Sequence, residues 1–180
     1  MKVIDILNNT DKPVFSFELV PPLKGGDINK IYEAIEPLIA LAPPFINITF
    51  HRDEVVYREY PDGTIKKVTV TKRPGSVALA AAIMRRYNVD MVPHIVCGGA
   101  TRHKIENELI DLNFLDIENV MALRGDPIPG ERFFTPEEGG HLYSCELVEQ
   151  ITRMNHGQYL DDTLTDTVPT NFCIGVAGYP

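Results

Sequence analysis

Segments with the two-residue period of a β-strand alternate along this chain with segments of helical period, and no other feature constrains its fold as strongly. Strands are predicted within residues 14–22 and at residues 45–50, 90–96, 119–123 and 172–176. Helices are predicted at residues 28–41, 77–87, 101–112 and 144–155. Because a helix between two strands normally connects parallel neighbours, this order predicts an α/β fold with a parallel sheet.

Two segments interrupt this order. Residues 55–74 contain two alternating runs on either side of Asp62-Gly63, which predicts a β-hairpin inserted after the second strand. Residues 155–170 are polar and without period, which favours a connecting loop. At the helix starts, Asp27, Ser76 and Ser144 are predicted to be N-caps.

Composition limits the class of protein. The chain has 180 residues, 44% of them hydrophobic and 23% charged, which is typical of one ordinary globular domain. The formal net charge of -8 argues against nucleic acid or an anionic membrane as partner, since both favour a basic face. No run is apolar enough to span a bilayer, and the N-terminus lacks the pattern of a secretion signal. The well-separated Cys97, Cys145 and Cys173 favour free thiols, so a cytoplasmic protein is expected.

Candidate site residues lie at or just after the carboxyl ends of all five predicted strands. They are Glu18, Thr49, His94, the run Arg124, Gly125 and Asp126, and Tyr179. Because parallel strands end at the same edge of a sheet, these residues are expected on one rim, where α/β barrels build their active sites.

Glu18 is the most informative of these residues. Pro21 and Pro22 end its strand, and the carboxyl group is expected to be buried against Phe15 and Phe17. Burial disfavours the charged form, which suits a group that holds a proton and delivers it. The alternative is an acid at the mouth of a strand that simply reaches water.

Five motifs in order resemble those of the methylenetetrahydrofolate reductase family, of the FAD-dependent bacterial type. They are F-S-F-E-L-V-P-P, I-N-I-T-F, V-P-H-I-V-C, V-M-A-L-R-G-D-P-I-P-G and V-A-G-Y-P, and the resemblance extends from Phe15 to Pro180. The resemblance implies a (β/α)8 TIM barrel, of which this chain holds roughly the first five β/α units plus the hairpin insertion at about 55–74. A complete barrel takes about 250 residues, so residues 1–180 are expected to form a single, partial flavin-binding domain of a truncated reductase.

The resemblance also implies roles for individual residues. Glu18 matches the general acid that protonates the folate, and Asp126 matches the aspartate beside flavin and folate, so both are expected to be catalytic and substrate-binding. FAD contacts are implied at Thr49, Phe50, His94, Leu123, Arg124, Gly125, Asp126, Tyr143, Ser144, Ala177 and Tyr179. The family often has small residues after the second strand, whereas this chain has His51 and Arg52, which leaves the cofactor contacts of that loop open.

The implied activity is reduction of 5,10-methylenetetrahydrofolate to 5-methyltetrahydrofolate by hydride transfer from NAD(P)H through FAD, in one-carbon and methionine metabolism. The implied partners are the folate substrate and a nicotinamide nucleotide, with a homo-oligomer as an open possibility. Two alternatives stay open: a truncated, non-catalytic fragment that binds flavin or a partner, and another flavin barrel such as a proline-oxidising enzyme.

R-G-D-P can also be a plain turn. His51, Asp53 and Glu54 could hold a metal, but a solvated charged loop is the more common use of such residues, so no metal is expected.

Overall fold

The computed structural model describes residues 1–128 and 131–178, and within them the elements alternate much as predicted. In chain order they are α1 (Val3–Asn8), β1 (Phe17–Leu19), α2 (Ile28–Ile39), β2 (Phe45–Ile48), β3 (Glu54–Glu59), β4 (Ile65–Val70), α3 (Ser76–Tyr87), β5 (Asp90–Val96), α4 (Arg102–Phe114), β6 (Asn119–Leu123), α5 (Ser144–Met154) and β7 (Cys173–Val176).

Five of the strands form one sheet in the order β1-β2-β5-β6-β7, and every neighbouring pair is parallel. Helices α2 to α5 each lie between two consecutive strands of this sheet along the chain. The predicted α/β fold with a parallel sheet is therefore confirmed, and this arc of strands is compatible with part of a TIM barrel.

The hydrophobic core lies between one face of this sheet and the helices. Alternate strand residues Ile46, Ile48, Met91, Ile95 and Val120 are at most 1% exposed. Helix residues of the same cluster include Ile35, Leu79, Ile83, Leu109 and Ile151. We call this side of the sheet the helix-covered face. Burying each such side chain contributes about 1.5–3 kcal/mol relative to leaving it in water.

Two of the predicted helix caps are wrong. Asp27 caps α2 as expected, since its carboxylate accepts from the backbone N–H of Asn29 at 2.9 Å. Ser76 instead lies inside α3, after the N-cap Gly75, and its hydroxyl donates to Glu108 on α4 at 3.4 Å. Ser144 is likewise the first residue of α5, with Tyr143 at the N-cap position. Ser76 therefore bonds to a residue of a neighbouring helix instead of capping its own. The sequence pattern could not show this partner.

The predicted hairpin is confirmed. Strands β3 and β4 pair antiparallel as a separate two-stranded sheet. At the turn, Tyr60 N–H donates to Thr64 O at 2.9 Å, and Gly63 has a φ of 77°, a conformation that glycine adopts without strain. The Asp62 carboxylate accepts from Thr64 N–H at 3.0 Å and stabilises the turn.

Helix α1 is an element that the sequence analysis missed. It lies against the amino ends of β5 and β6, where the Met1 amino group contacts the Asp90 carboxylate at 2.7 Å. The buried Asn119 side chain accepts from Val3 N–H at 2.8 Å and donates to Met1 O at 2.9 Å. The loop predicted at 155–170 contains no helix or strand, as expected. None of the helices in the described part of the chain has the length and apolarity to cross a membrane.

Candidate functional site at the carboxyl ends of the strands

Two adjoining clefts lie at the carboxyl ends of the parallel strands. The larger one, the acid cleft, has a volume of about 700 Å³ and lies between the strand ends and the base of the hairpin. The smaller one, the glycine cleft, has a volume of about 480 Å³ and lies between the ends of β6 and β7 and the start of α5. The two share Leu123, Gly125 and Asp126, so a ligand larger than either could extend across both.

All the predicted site residues in the described part of the chain line these clefts. The acid cleft is lined by Glu18, Thr49, Phe50, His94, Leu123, Gly125 and Asp126. The glycine cleft adds Arg124, Tyr143, Ser144 and Ala177. Tyr179 lies outside the described residues. The structure thus brings the candidates together, and their individual roles remain predictions.

Strand register explains why these side chains share one side of the sheet. Residues directly paired across parallel strands project to the same face, and the face alternates along each strand. Glu18 pairs with Asn47 and His94 pairs with Met121, whereas the core residue Ile46 pairs with Met91. We call the side that carries Glu18 and His94 the cleft face, because it lies opposite the helix-covered face.

Glu18 and His94 face each other in the acid cleft as a pair of ionisable groups. Glu18 Oε2 lies 3.8 Å from His94 Nε2, and the side chains are 58% and 7% exposed. Burial lowers the pKa of His94, an effect that the nearby Glu18 carboxylate partly opposes. His94 Nε2 is buried and has no hydrogen-bond partner among the described residues.

The expected burial of Glu18 is wrong. β1 has only three residues, and Phe15, which was expected to cover the carboxyl group, lies before the strand and is 76% exposed. The Glu18 side chain is itself more than half exposed. A strand with one neighbour in its sheet leaves a side open, which the alternating pattern alone does not show.

The loop after β2 contributes a residue that the sequence analysis left open. Arg52 Nη1 donates to the backbone carbonyl of Asp126 at 3.2 Å, which joins this loop to the loop after β6. The arginine also packs against Gly98, where an added Cβ would lie 3.0 Å from Nη1. The sequence did contain a signal for this role. Arg52 is a long, positively charged residue at a position where the family often has a small one.

Gly125 allows two strand ends to approach closely. Its φ is 85°, and an added Cβ would lie only 2.6 Å from Val96 Cγ1 at the end of β5. Any larger residue would therefore be strained and would clash. Beside it, the Arg124 guanidinium lies 5.5 Å from the ring centroid of Phe134. The glycine is thus required by the packing of this loop against the end of β5.

Two further polar groups near the clefts have clear physical explanations. Glu146 accepts from Leu142 N–H at 2.7 Å and Tyr143 N–H at 3.2 Å, and these hydrogen bonds lower its pKa, so it is a charged cap of α5. Burial raises the pKa of Cys97, at the end of β5, to about 11, which keeps it a thiol.

Asn47 is a cleft-face residue that the sequence analysis missed. It pairs in register with Glu18, and its Oδ1 is buried without a partner among the described residues. The signal was an amide inside an otherwise apolar strand, two residues before Thr49. As for metals, the described residues contain no group of three or more His, Cys, Asp or Glu side chains placed to hold an ion.

A parallel α/β sheet with its ionisable groups gathered at the strand ends defines the class of α/β enzymes to which barrel enzymes belong. A model of the methylenetetrahydrofolate reductase family matches residues 2–180, so the chain belongs to this family, whose named members are oxidoreductases.

Three relatives show how the match is distributed. The Arabidopsis thaliana protein "Methylenetetrahydrofolate reductase (NADH) 1" is 28% identical over 183 residues, which cover 100% of this chain and 26% of the relative. The Schizosaccharomyces pombe protein "Methylenetetrahydrofolate reductase 1" is 29% identical over 184 residues, with 100% and 26% covered. The Pectobacterium carotovorum protein "5,10-methylenetetrahydrofolate reductase" is 23% identical over 167 residues, with 92% and 43% covered. The chain thus spans about a quarter of the length of the first two relatives.

Proposed function

We propose that the protein containing this chain reduces 5,10-methylenetetrahydrofolate to 5-methyltetrahydrofolate, with a hydride that passes from NAD(P)H through FAD. The observation that carries the proposal is the convergence of Glu18, His94 and Asp126 on one cleft of about 700 Å³. The family match supports the reductase activity. Residues 1–180 are proposed to form a single domain, with residues 55–74 as an insertion into it.

The clefts have features that suit a flavin. Gly125 lines both clefts and is only half-buried, so a flavin could approach its backbone there. Arg124 lines the glycine cleft and can pair with anionic oxygens. The residues proposed to hold FAD are Thr49, Phe50, His94, Leu123, Arg124, Gly125, Asp126, Tyr143, Ser144, Ala177 and Tyr179. Bound there, FAD would accept a hydride from the nicotinamide and pass it to the folate.

Glu18 is proposed to donate the proton that opens the five-membered ring of the folate. Its exposure in the cleft means that the folded chain alone does not desolvate it. A folate in the cleft would exclude water from the carboxyl group, and this would favour the protonated form at the moment when it is needed. The proton is thus delivered only when the substrate is present, because the substrate itself covers the acid.

His94 and Asp126 have separate proposed roles. Because its pKa is lowered, His94 is neutral near pH 7 and can contact a ligand without adding charge. The Asp126 carboxylate would stabilise the positive charge that develops on the folate as its ring opens. Arg52 holds the backbone of Asp126 through its 3.2 Å hydrogen bond and so helps to place this carboxylate.

Absorbance spectroscopy of the purified protein tests the proposal. We expect flavin bands, release of FAD on denaturation, anaerobic bleaching by NADH or NADPH, and return of the bands when methylenetetrahydrofolate is added. Flavin bands that no reduced nicotinamide bleaches would favour the flavin-binding fragment instead. Bleaching by proline would favour a proline-oxidising enzyme, and a folded protein that binds no flavin would reject the proposal.

A further inference from the structure

The β3–β4 hairpin is an element to which the proposed reductase chemistry gives no role. It forms a sheet of its own, so β3 and β4 each have one edge with no strand beside it in residues 1–128 and 131–178. Such an edge offers a row of backbone N–H and C=O groups to another chain, and proteins usually protect it with lysine, proline or a bulge. The two edges of this hairpin differ in that protection.

β4 is protected, whereas β3 is not. β4 carries the exposed pair Lys66 and Lys67. Just after this strand, Lys72 O accepts from Lys24 N–H at 2.8 Å, so the loop between β1 and α2 lies against its end. β3 has six residues, Glu54–Glu59, without a lysine or a proline, and its unbroken pairing with β4 leaves no bulge.

The outer side of β3 presents backbone groups without partners. Tyr60 N–H donates to Thr64 O at 2.9 Å, which makes these residues a hydrogen-bonded pair at the turn. Hydrogen-bonded and non-hydrogen-bonded pairs alternate along antiparallel strands. The N–H and C=O groups of Val55, Tyr57 and Glu59 therefore point away from β4, and no other described residue forms a hydrogen bond with them. We call this row of groups the β3 edge.

Two side chains of β3 also lack suitable neighbours. Arg58 pairs in register with Lys66, and like charges placed directly opposite each other destabilise a sheet. No carboxylate among the described residues forms an ion pair with Arg58. Tyr57 is 72% exposed, which is unusual for an aromatic residue inside a strand. A strand that fits the β3 edge would bring an acid to Arg58 and an apolar side chain to Tyr57.

β3 itself is such a strand. An antiparallel copy centred on Val56 places Glu54 opposite Arg58, Val55 opposite Tyr57, and Val56 opposite its own counterpart. In this register Val55 and Tyr57, whose backbone groups point outward, can exchange hydrogen bonds. The registers one step to either side, centred on Val55 or Tyr57, place no opposite charges together within β3. Charge complementarity therefore selects a single register.

We propose that the β3 edge is the interface of a homodimer, in which the β3 strands of two copies pair antiparallel about a two-fold axis at Val56. The two hairpins then form one continuous sheet in the order β4-β3-β3-β4. The symmetry makes each favourable pair occur twice. Lys72 contacts one carboxylate oxygen of Glu54 at 2.5 Å, and the other oxygen is left for Arg58 of the second copy. Pairs of opposite charge, and of an aromatic with a β-branched residue, are those that stabilise neighbouring strands.

Analytical ultracentrifugation of the purified protein tests the proposal. A monomer–dimer equilibrium is expected, with a Kd of about 10 μM or tighter. Arg58→Glu turns both favourable charge pairs into repulsive ones and should weaken the dimer at least about tenfold. Arg85→Glu, at an exposed arginine on α3, makes the same change in net charge and should leave the Kd unchanged. A monomer at all concentrations, whether the edge is then open or covered by another segment, or a dimer insensitive to Arg58→Glu, would overturn the proposal.

Mixing two variants tests the register. Glu54→Arg alone should also weaken the dimer, because it places two arginines opposite each other. In an equimolar mixture with the Arg58→Glu protein, both opposite-charge pairs are restored in the mixed dimer, so association should be at least about tenfold tighter than for either variant alone. A mixture of the Glu54→Arg and Arg85→Glu proteins has the same net charges and should show no such gain. Equal gains in the two mixtures, or none in either, would contradict this register.

A disulfide gives a readout that does not depend on these charges. Directly opposed, non-hydrogen-bonded residues have Cα atoms about 4.5 Å apart, which is within the range for a disulfide. Val56→Cys is therefore expected to link two copies on oxidation, with peptide mapping to separate this link from any formed by the exposed Cys145. In Arg58→Cys the two cysteines would lie more than about 13 Å apart, and no link between them is expected. Equal linkage of the two variants, or none at residue 56, would overturn the proposal. The flavin spectrum is a separate measurement, so failure here leaves the proposed reductase function standing.

Discussion

The two faces of the parallel sheet are built from alternate residues of the same strands, yet they differ in almost every physical respect. On the helix-covered face of β5, Met91 and Ile95 are at most 1% exposed and pack into the hydrophobic core. On the cleft face of the same strand, His94 carries a ring nitrogen without a partner in the described residues. One residue step along the strand separates an apolar core from the candidate site.

This difference separates the core residues of a strand from the candidate site residues of the same strand. On the helix-covered face, the side chains of Met91 and Ile95 pack against the helices and contribute to the hydrophobic core. The cleft face carries polar atoms such as Asn47 Oδ1 and His94 Nε2 that are buried without a hydrogen-bond partner among the described residues, which costs stability. A substitution on the cleft face should therefore change mainly activity, whereas one on the helix-covered face should change mainly the free energy of unfolding.

The largest expected effect is on the cleft face. Glu18→Gln keeps the size of the side chain but removes its proton, so folate reduction is expected to fall by about 10²–10⁴-fold. Bleaching of the flavin by NAD(P)H needs no such proton and should change little. Anaerobic stopped-flow absorbance measures the two half-reactions separately. Glu33→Gln, an exposed acid on α2, is the matched control and should leave both rates unchanged. Equal loss of both half-reactions in Glu18→Gln would reject the proton-donor role.

The helix-covered face should give the next largest effect, and on stability instead of chemistry. Ile95 is 0% exposed, so Ile95→Ala is expected to lower the free energy of unfolding by about 2–5 kcal/mol, through lost burial and the cavity left behind. Ile95→Val, which removes one methyl group, should cost about 0.5–1.5 kcal/mol. Urea unfolding followed by circular dichroism measures both. A loss for Ile95→Ala no larger than that for Ile95→Val would contradict the assignment of this face to the core.

The comparison also explains which parts of the fold could be predicted from the sequence. β5 and β6 match their predicted bounds to the residue, because each is a buried apolar run between clear turn signals. Helix α1 was missed because it has only six residues and is tied to the sheet by Asn119, which is 116 residues away from Val3. Local pattern carries no information about a contact of that length.

The candidate site was predictable to the same extent. Alternation along the strands and the parallel order placed Thr49 and His94 on the correct rim. The exposure of the Glu18 side chain was not predictable. The period of a strand shows to which face a side chain projects, but it does not show whether other residues cover that side chain. The role of Arg52 was not predictable either, because it depends on a hydrogen bond to Asp126, 74 positions away along the chain.

The smallest expected effect concerns the pH dependence of His94. Its pKa lies below the ordinary value of about 6.5, mainly because burial disfavours the charged ring. Above about pH 6.5 the ring is neutral in both the folded and the unfolded chain, so it contributes no pH dependence there. As the pH falls below about 6.5, the unfolded chain takes up a proton that the folded chain resists, and the free energy of unfolding decreases until the pH passes the lowered pKa.

Urea unfolding over this range should therefore show a steeper loss of stability for the unaltered protein than for His94→Gln. His103→Gln, an exposed histidine on α4, should retain the steeper loss. Parallel curves for the unaltered protein and His94→Gln would mean that the cleft face does not hold this ring away from water.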